Sequence, residues 1–125
     1  MEKSVLVADD EPGFKDMYAY LFQPFGIAVD YAANGEEALE RVKRKAYDLV
    51  FLDVHMPKLD GPGAFRGIRQ ARPEQKVVVF SSNSDPDRVL ENQMIREGAL
   101  DCLYKPVSLD DLRKILSKAF GSPVL

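Results

Sequence analysis

Three short, uninterrupted apolar runs, each followed by a segment of helical periodicity, constrain this chain more than any other feature. They are Val5-Leu6-Val7-Ala8, Leu49-Val50-Phe51-Leu52 and Val77-Val78-Val79-Phe80. A strand covered on both faces needs continuous apolar side chains rather than alternation, so these runs are expected to form the central strands of a parallel sheet. Ile27 to Tyr31 and Leu100 to Tyr104 are interrupted by Asp30 and Asp101, and are expected at the sheet edges.

Between the strands, apolar residues recur at helical spacing. Phe14, Met17, Tyr18 and Leu21 mark one helix; Ala38, Leu39 and Val42 a second; Phe65, Ile68 and Ala71 a third; Leu112, Ile115, Leu116 and Ala119 the last. A less regular stripe of Val89, Leu90, Met94 and Ile95 predicts another over Pro86 to Glu97. Pro12 and Pro86 suit first turns, Asn34 suits a cap, and Ser108-Leu109-Asp110-Asp111 reads as a capping box. Gly26, Gly98 and Gly121 are expected to end helices. The order is βα five times, an α/β chain that right-handed crossovers wind into an open, doubly wound five-stranded parallel sheet.

At 125 residues the chain has the length of a single domain, with its core over residues 4–120 and a tail from Gly121 to Leu125. Its formal charge of −3 leaves no electrostatic footprint for nucleic acid or anionic membrane. No apolar run approaches the roughly 20 residues of a membrane span, and Met1-Glu2-Lys3 does not open a signal peptide, so a soluble, cytoplasmic protein is expected. The single cysteine, Cys102, excludes an internal disulfide, and no Cys/His cluster offers a structural zinc site.

Open sheets of this kind bind ligands beyond the carboxyl ends of their strands. There the first run ends in Asp9-Asp10-Glu11, the second in Asp53, the third in Ser81-Ser82, and the last strand in Lys105-Pro106. Gathering Asp9, Asp10 and Asp53 on one edge is costly unless positive charge intervenes. Mg²⁺, which takes oxygen ligands and keeps several waters, is the expected cofactor; with the Lys105 ammonium it balances the three carboxylates. A carboxylate so placed is a nucleophile toward a phosphoryl donor, and Asp53 is the candidate. Lys105 and the Ser81 hydroxyl would stabilise the phosphoryl oxygens.

In Val7-Ala8-Asp9-Asp10-Glu11, Leu52-Asp53-Val54-His55-Met56-Pro57 with Asp60-Gly61, Phe80-Ser81-Ser82, Gly98-Ala99 and Lys105-Pro106, the chain resembles the receiver domains of two-component response regulators. Each element alone is weak; in order, at strand ends, they are specific. The resemblance implies a flavodoxin-like sheet of strand order 2-1-3-4-5. It also implies that Asp53 is the phosphoacceptor, Ser81 the switch hydroxyl and Lys105 the phosphate-pairing lysine, followed by a cis Pro106. Metal ligands would be Asp10, Asp53 and the main-chain carbonyl of His55, with Asp9 acting through a water.

Implied partners are a histidine kinase or histidine phosphotransfer protein, and an output domain or effector on the face of the fourth helix, fifth strand and fifth helix. A phosphorylation-dependent dimer is a further expectation. No output region is expected within these residues. Such a module is not an enzyme beyond catalysing its own phosphorylation and dephosphorylation. One departure stands out: receiver domains usually carry an aromatic residue three positions before the lysine, where this chain has Cys102, with Tyr104 next to Lys105.

Blander readings weigh against each residue. Asp9-Asp10-Glu11 could merely favour a helix start, Lys105 could be a surface lysine, and the His55 ring is expected to be exposed rather than a ligand. Cys102 reads as a small hydrophobe and the basic stretch from Arg41 to Lys45 as a solvated helix end. Two other functions use the same residues. One is a constitutive interaction module independent of phosphorylation; the other is a metal-dependent phosphohydrolase, disfavoured because no Asp-x-Asp follows the first strand and no cap insertion encloses a substrate.

Overall fold

A computed structural model describes residues 3–82 and 88–121. Five parallel strands, β1 (Ser4–Ala8), β2 (Ala28–Ala32), β3 (Leu49–Asp53), β4 (Val77–Ser81) and β5 (Asp101–Tyr104), lie in the order β2-β1-β3-β4-β5. The helices are α1 (Phe14–Phe22), α2 (Gly35–Arg44), α3 (Gly61–Ala71), α4 (Val89–Arg96) and α5 (Leu109–Phe120). Every residue of β3 and β4 is buried, as their unbroken apolar runs require, while β2 and β5, carrying Asp30 and Asp101, take the edges.

Strand alternation divides the interior into two cores. Leu6, Ala8, Val50, Leu52, Val77 and Val79 pack with Ala38, Val42, Phe65, Ile68 and Met94 on the side of α2, α3 and α4. Val5, Val7, Leu49, Phe51, Val78 and Phe80 face the other way, onto Phe14, Tyr18, Phe22, Leu112, Ile115 and Leu116 of α1 and α5. A stack of rings runs through this second core: Phe51 on Phe80 at 5.0 Å and Phe80 on Tyr18 at 5.3 Å between centroids.

The capping chemistry is local and largely as expected. Asn34 accepts from the backbone N–H of Glu37, and Ser108 with Asp111 forms a reciprocal capping box. Gly121 ends α5 in the left-handed conformation, and Gly26 ends a short 3-10 turn (Gln23–Phe25) in the same way. Gly98, at φ 114°, follows α4 after one intervening residue.

Pro12 is a correction. It precedes α1 instead of filling its first turn, because Gly13 adopts φ 79° and the helix begins only at Phe14. The expected start of the fourth helix at Pro86 and the tail residues 122–125 lie outside the described residues.

Candidate functional site

The carboxyl edge of the sheet gathers side chains that are far apart in sequence. Asp9 follows β1 and prolongs its ladder, its N–H donating to the Ala32 carbonyl at 3.1 Å. Asp53 ends β3, paired in register with Phe80 of β4. One carboxylate oxygen from each of Asp9, Asp10 and Asp53 lies within 4.8 Å of the others. Asp9 and Asp53 are buried and Asp10 is exposed, so the cluster has a closed floor and an open side.

Lys105 crosses this cluster from the end of β5, held there by its N–H bonding the Ser81 carbonyl at 2.8 Å. Its ammonium donates to Asp53 Oδ2 at 2.8 Å and to Glu11 Oε1 at 3.0 Å. It also lies 2.8 Å from Asp9 Oδ2, a close ion pair poorly aligned for a hydrogen bond. The Lys105–Pro106 peptide is cis, as the resemblance implied.

These contacts set the charge states. Burial raises the Asp53 carboxyl to about 6; Lys105 opposes that shift, the nearby Asp9 charge adds to it, and the His55 N–H bond opposes it. Burial acts to lower the Lys105 ammonium, but its contacts with Asp53 and Asp9 outweigh burial and hold it above the ordinary lysine range.

The loop after β3 folds back against Asp53. The His55 N–H donates to Asp53 Oδ1 at 3.2 Å, while the His55 side chain is exposed, as expected. Gly61 then folds back, donating its N–H to the Val54 carbonyl at 2.9 Å. A Cβ on Gly61 would stand 2.6 Å from the Asp53 carbonyl oxygen and 2.7 Å from Val54 Cα, so only glycine allows this approach. Asp60 caps α3 by accepting from the Gly63 N–H at 2.9 Å.

Ser81 ends β4 beside the cluster, buried, and Ser82 is exposed. Cys102 is half-buried against the core of α2, α3 and α4, and burial raises its thiol to about 11, the state of an inert thiol. Tyr104 lies under the Arg88 guanidinium, 4.4 Å from the ring centroid.

Every residue singled out at the strand ends therefore comes to one edge. The sequence alone does not assign the ion pair of Glu11 with Lys105, although Glu11 directly follows the two aspartates, and it marks Tyr18 only as a core residue.

The donor set is oxygen-only, compact and open on one side, which fits a hard divalent cation that keeps several of its waters. Among the described residues, no helix is long and apolar enough to cross a membrane.

The response regulator receiver domain family matches this chain over residues 5–117. Over 117 residues, 94% of this chain, the sequence is 35% identical to the transcriptional regulatory protein ZraR of Klebsiella oxytoca, of whose length the match spans 26%. It is 28% identical to sporulation initiation phosphotransferase F of Bacillus subtilis (strain 168) over 94% of both chains. In structure it resembles the receiver domain of the sensor histidine kinase PA1611 from Pseudomonas aeruginosa PAO1, described with a magnesium ion coordinated in its active-site cleft. That likeness has a TM-score of 0.86 at 25% identity and covers 98% of this chain and 100% of the other. Receiver domains are signalling modules rather than classical enzymes, and they interact with histidine kinases and output domains. With its sheet order, its acidic edge and the matched span in agreement, this chain belongs to the response regulator receiver domain family of two-component systems.

Proposed function

We propose that the chain acts in the cytoplasm as a single receiver unit, residues 1–125, and takes a phosphoryl group onto Asp53 in a Mg²⁺-dependent reaction. The donor is a phosphohistidine of a histidine kinase or histidine phosphotransfer protein. The observation that carries this reading is the convergence of Asp9, Asp10 and Asp53 with the ammonium of Lys105 at the end of β3.

In the transfer, an Asp53 carboxylate oxygen forms the new P–O bond while the P–N bond of the donor breaks, its electron pair returning to the imidazole. Asp10, Asp53 and the His55 carbonyl would hold Mg²⁺, with Asp9 acting through a water. Bound there, the ion supplies positive charge against the phosphoryl oxygens. Lys105 gives up part of its contact with Asp9 and Asp53 to pair with the incoming phosphoryl oxygens. The Ser81 hydroxyl donates to another of these oxygens. The extra negative charge then acts on Ser81 and Lys105 at the ends of β4 and β5, and the face of α4, β5 and α5, with Val89, Ile95 and Leu109 exposed, receives the output partner or a second copy of the chain.

Incubation with acetyl phosphate and Mg²⁺ tests this by intact mass: one phosphoryl group is added to the parent protein and none to Asp53→Asn. Equal labelling of the variant refutes the assignment of Asp53. Partner binding that is indifferent to beryllofluoride would instead favour a constitutive module.

A further inference from the structure

Three buried side chains carry polar atoms that find no hydrogen-bond partner among the described residues: Asp9 at Oδ2, Tyr18 at its hydroxyl and Glu91 at both carboxyl oxygens. The first two are an acceptor and a donor on the same side of the sheet. Asp9 continues the alternation of Val5 and Val7 toward α1 and α5, and Tyr18 of α1 belongs to that core. The Tyr18 ring is fully buried and stacks on Phe80, with 7° between the planes; Phe80 is the residue paired in register with Asp53. The phenol therefore lies beneath the acidic edge, against the strand position beside the phosphoacceptor.

We infer that Tyr18 is a positioning residue of the phosphoryl-transfer site, its hydroxyl held ready to donate to Oδ2 of Asp9 when Lys105 leaves that oxygen for a phosphoryl group on Asp53. The inference rests on the reading of Asp53 as phosphoacceptor. Asp9 Oδ2 is neutralised by Lys105 without a directed donor. Once the ammonium turns to the phosphoryl oxygens, this buried oxygen loses its direct cationic contact, and a buried acceptor left without a donor is costly even where a metal ion acts on the carboxylate through a water.

The Tyr18 hydroxyl can compensate, because it is already desolvated and has no partner among the described residues to give up. It also remains a donor at any physiological pH: burial first, and then the charge of Asp9, push it above the ordinary tyrosine range. A purely packing role would be served as well by phenylalanine, without an unsatisfied hydroxyl that destabilises the resting protein.

Tyr18→Phe tests this, since it keeps the ring and its stacking on Phe80. Two measurements are paired: thermal unfolding without divalent cations, and phosphoryl uptake from acetyl phosphate with Mg²⁺, followed by mass across donor concentrations. The expected result is a higher melting temperature with uptake at saturating donor slowed roughly three- to tenfold and the half-saturating concentration unchanged. A structural role alone moves only the melting temperature, so uptake equal to that of the parent overturns the assignment of Tyr18 and leaves Asp53 standing. If the parent takes up no phosphoryl mass, both readings fall.

Discussion

The ammonium of Lys105 donates to Oδ2 of Asp53 at 2.8 Å, across a separation of 52 residues in the chain. That bond joins β5 to β3 over the end of β4, and the same ammonium also neutralises Asp9 and Glu11. One lysine thus carries most of the compensation for a group of acids, and its removal has a definite consequence.

Lys105→Met leaves Asp9 and Asp53 buried without their cation. Stability without divalent ions should fall by about 2–3 kcal/mol, less than breaking a fully enclosed pair costs, because the site is open beside Asp10. Excess Mg²⁺ should restore much of the loss. Urea titrations of parent and variant, with and without Mg²⁺, check both statements.

The raised carboxyl of Asp53 has a pH signature. The folded protein holds this proton up to about pH 6, whereas the ordinary value is 3.8, so the group's stabilising contribution is complete below about pH 4 and is lost as pH rises through about 6. Without divalent ions, Asp53→Asn should therefore gain on the parent between those limits and hold a constant advantage above them, on the order of 1–3 kcal/mol. A difference that stays the same from about pH 4 to about pH 7 in parallel denaturant titrations would contradict this.

Gly61→Ala forces a methyl group against the backbone of Asp53 and Val54. Neither neighbour is a flexible side-chain end, so the β3–α3 loop must move, at a cost of about 1–3 kcal/mol. Because the same loop carries the His55 N–H to Asp53, phosphoryl uptake should fall along with the denaturation midpoint.

Glu91, on the inner face of α4, is 2% exposed and neither carboxyl oxygen has a partner among the described residues. Glu91→Leu should stabilise the protein by about 1–3 kcal/mol, with Glu91→Gln giving a smaller change. Thermal unfolding of the three proteins ranks them.

Much of this is legible in the sequence. The continuous apolar runs of β1, β3 and β4, short and rich in valine, suit a doubly covered strand, and a strand's end fixes where Asp9, Asp53 and Ser81 must stand. Capping by Asn34 and Ser108 is legible because it depends on neighbours three residues away. What escapes depends on tertiary packing. Tyr18 sits at a core spacing that reads identically whether its hydroxyl meets water, a partner or nothing. Glu91 lies outside the apolar stripe of Val89, Leu90, Met94 and Ile95, yet the structure turns it inward while Val89 and Ile95 face solvent. Pro12 suits a first turn, but the left-handed Gly13 delays the helix by two residues.

Alternation along the strands sends the Asp53 side chain toward the layer of α1 and α5, and that of Ser81, at the next register position of the neighbouring strand, toward the layer of α2, α3 and α4. Anything clasped by both therefore tugs on opposite halves of the molecule at once, and news arriving at this rim reaches the two outer surfaces without having to cross the sheet.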